Sequence, residues 1–259
     1  MLPLVTIGLL VVVIGDRFVE ARRRAEPLET ANQTISATHR IDPDTVELAS
    51  SHTVRAPRPP VDRVARMATR QQISLEAGAT YLDSLMLSTD SVVRRWPDRH
   101  GVPIRVAIIE GGPTGYAPRM GEFMHESLER WEALGIGVHF EVVRDTSDAA
   151  VVVRWIDRFD FDRAGQTDLT WDQAGHVRRA VISLALHTST GVPFPDSALL
   201  AVAVHEVGHA LGLPHSSDSN DVMFPATRTS VLSERDRRTA SVLYRLPPGP
   251  VRDVLADGR

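Results

Sequence analysis

One string constrains this chain more than any other: His205-Glu206-Val207-Gly208-His209, followed by Ala210-Leu211-Gly212 and then by His215. Residues 198–211 are otherwise almost wholly apolar, which predicts a buried helix with Asp196 or Ser197 as its N-cap. Four residues along a helix turn through about 400°, so the imidazoles of His205 and His209 project from one face, a turn apart. Glu206 projects beside them, within reach of water held at the same ion without being a ligand. Gly212 tolerates the left-handed backbone that ends a helix, and the returning chain delivers His215 as a third nitrogen donor. Any one of these histidines alone reads as a hydrogen-bonded core or surface residue; the set at this spacing does not. Three protein nitrogens and one open position make the arrangement of a catalytic zinc, whereas a structural zinc is closed by a fourth protein ligand. The chain contains no cysteine, which excludes disulfides, thiolate metal sites, a cysteine nucleophile and any cysteine-based latency device.

The segments ahead of the histidines alternate strand and helix patterns. Residues 104–109 read as a strand that stops at Glu110-Gly111-Gly112-Pro113. Met120, Phe123, Met124, Leu128, Trp131 and Leu134 recur at spacings of three and four, predicting a long helix with Gly135 at its C-terminal cap. Val138, Phe140 and Val142 alternate with polar neighbours as a half-buried strand should, and residues 149–156 form a more continuous apolar run, as in a central strand. A polar, Asp-rich loop is expected next, then a strand over residues 181–186. This order implies an α/β fold with a twisted, mixed but mostly parallel sheet.

The remainder of the chain sets the domain plan. Residues 1–15 are almost uninterruptedly apolar. As a helix they would span roughly 22 Å, short of the roughly 30 Å hydrocarbon core, so residues 1–21 read as a signal peptide or short membrane anchor. Val19-Glu20-Ala21 offers a small-residue cleavage pattern, while Arg22-Arg23-Arg24 just beyond it opposes translocation. Residues 22–62 form a polar, proline-containing linker or prosegment, residues 63–95 a helical segment, residues 96–246 the compact domain, and residues 247–259 an irregular tail. A formal charge of −4 and a pI near 6.2 lack the basic footprint of a nucleic-acid binder. All 29 basic residues are arginine, which excludes Schiff-base chemistry.

With these residues in place, the chain resembles the metzincin zinc endopeptidases, and within them the matrixins. Ser216 directly follows the last histidine, as in matrixins. An aspartate in that place marks the adamalysins and a glutamate the astacins, and neither stands at position 216. The stretch 217–225, Ser-Asp-Ser-Asn-Asp-Val-Met-Phe-Pro, is similar to the matrixin Met-turn, and Leu232-Ser233 with Asp236, Leu243 and Tyr244 to its C-terminal helix. The resemblance is tight over residues 198–244, extends in element order from Trp96, and does not reach residues 1–95. It implies a matrixin-like catalytic domain with an active-site helix and a C-terminal helix, one zinc held by His205, His209 and His215, Met223 as the apolar floor beneath it, and Glu206 as the general base on a zinc-activated water. It also implies a protein or peptide substrate lying antiparallel along an edge strand near residues 181–186. The residue after the scissile bond would enter a pocket walled by Phe224, Pro225 and Leu232, helped by Ala226 and Val231, with Arg228 solvated.

Departures from the family are equally specific. The zymogen cysteine is missing, and residues 245–259 contain no haemopexin-like repeat. Residues 160–168, where vertebrate relatives carry a structural zinc and calcium, supply carboxylates without the expected histidines. A calcium site built from Asp160, Asp162 and Asp168 stands against an ordinary polar loop, and His176 and His187 are not expected to be ligands. Position 225 is proline, so the tyrosine of astacins and serralysins is absent and oxyanion stabilisation falls to zinc and backbone donors. The main expectation is a secreted or membrane-anchored zinc endopeptidase. The alternative is a non-catalytic, zinc-stabilised binding or scaffold module, against which the intact Glu206 weighs.

Overall fold

The computed structural model describes residues 63–87 and 91–252; the expected signal or anchor over residues 1–21 and the linker over 22–62 lie outside them. In chain order the elements are α1 Arg63–Leu75, α2 Asp83–Leu87, β1 Val92–Val93, β2 Ile104–Ile108, α3 Arg119–Glu132, β3 Phe140–Val143, β4 Val151–Ile156, β5 Gly165–Trp171, β6 Val177–Ala185, α4 Asp196–Ala210, α5 Glu234–Arg245 and β7 Gly249–Pro250. Five strands make one sheet in the order β3-β2-β4-β6-β5. β2 pairs in parallel with β3 and β4, and β4 with β6, while β5 runs antiparallel to β6. The sheet is therefore mixed and mostly parallel, as its apolar, helix-connected strands dictate. Among the described residues no helix is long and apolar enough to cross a membrane.

Two helices carry the packing that positions the site. α3 presents Met120, Met124, Leu128 and Trp131 inward at helical spacing and closes near Gly135, whose φ of 64° is the left-handed conformation that glycine adopts most readily. In α4 every residue from Ala201 to Ala210 is buried, as an all-round apolar helix must be. The Trp131 indole donates to the Val204 carbonyl at 2.8 Å, tying the two helices. Neither Asp196 nor Ser197 caps α4: the N-cap is Pro195, without a side-chain bond, and Asp196 is the first helical residue. There its carboxylate faces the positive end of the helix dipole and pairs with Arg119 at 2.8 Å.

Four further expectations need correction. The Asp-rich segment expected as a loop becomes β5 from Gly165 onward, because its polar residues alternate on a strand with an exposed face, Leu169 and Gly165 turning inward. Consequently residues 181–186 are not an edge: Val177–Ala185 lies between β4 and β5, and β5 is the outer strand. The segment 63–95 is helical only in two pieces. Gly78, at φ 83°, turns the chain between them, and Ile73, Tyr81 and Leu82 enter the same core as the rest of the molecule. The stretch after residue 246 also has a partner, since Gly249 and Pro250 pair antiparallel with Val93 and Val92.

Candidate metal centre and active site

α4 and the turn after it bring His205, His209 and His215 together, their ligand nitrogens all within 4.8 Å of one another. Gly212 makes this return possible. Its φ is 96°, and a Cβ there would lie 2.1 Å from the Arg94 carbonyl oxygen, so both backbone conformation and space demand glycine. The Gly212 amide donates to the His209 carbonyl and the Leu213 amide to the Gly208 carbonyl, closing the helix end.

The rings are oriented from behind. His205 Nδ1 lies 2.7 Å from the Val222 carbonyl and His209 Nδ1 2.9 Å from the Leu213 carbonyl. A carbonyl only accepts, so each Nδ1 carries the hydrogen and each Nε2 presents a lone pair to the centre. The Nε2 atom of His215 stands 3.3 Å from that of His205 and 3.0 Å from that of His209. Two zinc–nitrogen bonds of about 2.0–2.1 Å at a tetrahedral angle would hold their nitrogens about 3.3 Å apart. The donor set thus fits a zinc ion. Burial keeps His205 well below the usual histidine range, with His209 and His215 adding to the effect, so it offers a neutral imidazole.

Beneath the histidines Met223 is fully buried. A Cβ at Gly208 would come within 2.4 Å of the Met223 sulfur and 2.9 Å of the Trp131 ring, so the missing side chain in mid-helix lets both approach. A glycine inside an otherwise strong helix is a readable sign of close packing. The Met223 carbonyl accepts from the Ser216 amide at 2.8 Å, which fastens the turn to the residue after the last histidine. Asp236, wholly buried, accepts from the Val222 amide at 2.8 Å, the Ser233 amide at 2.9 Å and the Tyr81 hydroxyl at 2.9 Å. The same carboxylate completes a capping box with Ser233 at the start of α5. Ser216 donates to Asp221, which also pairs with Arg235 at 3.0 Å.

Glu206 is buried but outside the group of converging nitrogens. Burial pushes its carboxyl up to about 8, opposed by the Thr167 hydrogen bond and by Arg163, with Asp168 adding to the rise. One carboxylate oxygen accepts from Thr167 at 2.6 Å. Thr167 and Gly165 were invisible as site residues in the sequence, because their segment reads as a loop.

The other expected residues are placed as follows. Phe224, Pro225 and Ala226 are half-buried just after Met223, Leu232 is buried, and Val231 and Arg228 are exposed. Asp160, Asp162 and Asp168 do not converge: the three histidines are the one grouping of metal-ligating side chains among the described residues. Asp160 and Asp162 are exposed, Asp162 accepting from Ser189, while Asp168 lies in β5 and accepts from Gln166 at 2.8 Å. A strand separates alternate side chains to opposite faces and cannot gather them as a calcium loop does. His176 and His187 each face a single carboxylate, Asp172 at 3.4 Å and Asp157 at 2.9 Å.

The family model described as Matrixin matches residues 117–245. Matrilysin of Felis catus is 44% identical over 55 residues, covering 21% of this chain and 18% of that protein. Interstitial collagenase B of Mus musculus is 40% identical over 60 residues, covering 22% and 13%, and interstitial collagenase A of the same species 41% identical over 62 residues, covering 22% and 13%. The chain therefore spans less than a fifth of the length of each of these relatives.

Proposed function

Since residues 117–245 match the Matrixin family model, we propose that this protein is a zinc-dependent endopeptidase acting on extended segments of protein substrates. The observation that carries the reading is the convergence of three Nε2 atoms beside a buried glutamate that is not one of the ligands. Zinc held by His205, His209 and His215 would supply Lewis-acid polarisation of the scissile carbonyl and make water acidic at neutral pH. Glu206, next to His205 on α4, takes the proton of the attacking water and returns it to the leaving amine.

The substrate lies along β5. This strand pairs on one side with β6, and its other edge offers backbone donors and acceptors to an added strand. Phe224, Pro225 and Leu232 wall the pocket for the residue after the scissile bond. We place the protein outside the cytoplasm, secreted or anchored through residues 1–15.

The test uses the full chain. Purified protein should cleave casein, a metal chelator should stop the cleavage and zinc should restore it. Glu206→Ala should lower the rate by about 10²- to 10⁴-fold while keeping zinc content and melting temperature. Zinc-loaded wild type that cleaves nothing would favour the non-catalytic module, and undiminished activity in the Glu206 variant would remove that residue from the mechanism.

A further inference from the structure

The strand that offers its edge to a substrate also holds the base. Residues 165 and 167 are two apart on β5 and so face the same side, which here is the side covered by α4. At position 165 the side chain is missing where the carboxylate sits: a Cβ on Gly165 would lie 2.3 Å from Glu206 Oε1 and 2.7 Å from its Cγ. At position 167 the hydroxyl stands 2.6 Å from Glu206 Oε2 and 3.1 Å from the Glu206 carbonyl oxygen. A hydroxyl has one hydrogen to give, and the shorter contact, to the carboxyl oxygen, is the one that takes it. Register fixes the donor, since Thr167 is paired with Ile182 of β6.

The two oxygens of Glu206 are therefore unlike. Oε2 is engaged by Thr167, whereas Oε1 is buried without a hydrogen-bond partner. We propose that Thr167 is a positioning residue: it anchors Oε2, fixes the carboxylate plane, and leaves Oε1 as the oxygen that receives the proton. Gly165 provides the room for that orientation. The role rests on the endopeptidase reading, with Glu206 as the base. It also ties substrate docking to catalysis, because a peptide added to β5 lies on the strand whose inner side sets the base.

The experiment compares Thr167→Val, which keeps the shape and removes the hydroxyl, with Thr167→Ser, which restores it, in full-length zinc-loaded protein. Misplacement of a reacting group by about 1 Å costs up to about a hundredfold, so Thr167→Val should lower kcat by about tenfold to a hundredfold, with KM within about twofold. Thr167→Ser should stay within about threefold of wild type. Zinc content and melting temperature verify each fold, and if the valine variant fails to fold, Thr167→Ala against Thr167→Ser makes the same comparison. A second readout does not depend on turnover. In protein carrying 13C-labelled glutamate, the Glu206 carboxyl resonance, identified by its loss in Glu206→Gln, should shift in Thr167→Val and hold in Thr167→Ser. An unmoved resonance, a wild-type kcat in Thr167→Val, or equal losses in the serine and valine variants would overturn the role of Thr167. Wild type that binds zinc but cleaves no peptide would overturn the endopeptidase reading itself, and the positioning role with it.

Discussion

Tyr81→Phe tests whether the chain upstream of the matrixin match is part of the machinery. Tyr81 is 2% exposed, and its hydroxyl donates at 2.9 Å to Asp236, which is fully buried. Removing the oxygen leaves the ring in place, so no cavity opens and the Arg235 guanidinium, 5.5 Å above that ring, keeps its partner. A hydrogen bond to a charged group contributes about 1.5–3 kcal/mol net. Asp236 retains the Val222 and Ser233 amides as donors, which places the cost at the lower end, about 1.5–2 kcal/mol. For a domain of this size each kcal/mol moves the melting point by about 2–4 °C, so a drop of about 3–8 °C is expected. Burial and the nearby Asp236 push the Tyr81 hydroxyl well above its usual range, so it stays a donor and the cost should be flat from about pH 5 to 9. Urea and thermal unfolding of zinc-loaded protein would measure it. A change below about 0.5 kcal/mol, within the scatter of ordinary surface substitutions, would show that residues near Tyr81 do not brace the Met223 turn.

Metal analysis should find close to one zinc per chain, lost in His209→Ala; zinc content unaffected by that change would refute the ligand set. In chelated protein, Glu206 has a folded pKa of about 8, above its unfolded 4.5. Its contribution to stability is present in full below pH 4.5 and falls as pH rises toward 8. Glu206→Gln should flatten that loss, and the difference between the two proteins cancels the opposite trend from His205, whose lowered pKa raises stability as pH climbs toward the ordinary histidine range. Identical pH profiles would refute the buried, proton-hungry carboxyl. Gly212→Ala should cost more than the roughly 1–2 kcal/mol of left-handed backbone, because the added carbon meets the Arg94 carbonyl at 2.1 Å; unchanged melting and zinc affinity would count against the turn. Peptide-library profiling should show graded selection, of about 1–3 kcal/mol per methylene-scale difference, for bulky apolar residues just after the cleaved bond, with little effect of Arg228→Ala. A preference for Asp or Glu that vanishes in that variant would reverse the assignment of Arg228 as solvated.

The histidine cluster was legible because its geometry is local: helix periodicity and one obligatory glycine place all three nitrogens within a short stretch of chain. The parallel strands were legible for a similar reason, since Ile104–Ile108 and Val151–Ile156 are buried and carry apolar runs. β5 was not, because an edge strand needs apolar residues on one side only, and its inward set is Gly165, Thr167 and Leu169. The support of Glu206 disappeared with it. Asp236 and Tyr81 were opaque for another reason: their bond joins residues 155 positions apart, and no pattern within either segment announces it. The cap of α4 was misread because Asp196 suits an N-cap by residue type, while Pro195 already supplies the extended backbone there.

β2, Ile104–Ile108, lies between β3 and β4 and is hydrogen-bonded to both. Yet it precedes residue 117, where the family match begins. A fragment cut to the recognisable sequence would lose the rung joining β3 to the sheet, together with Trp96, whose indole donates to the Ala210 carbonyl at 2.9 Å at the end of the histidine-bearing helix. The recognisable stretch and the folded unit are thus different lengths of chain. An excised domain should start ahead of α1 and run past Val251, whose amide closes on the Ser91 carbonyl at 2.8 Å.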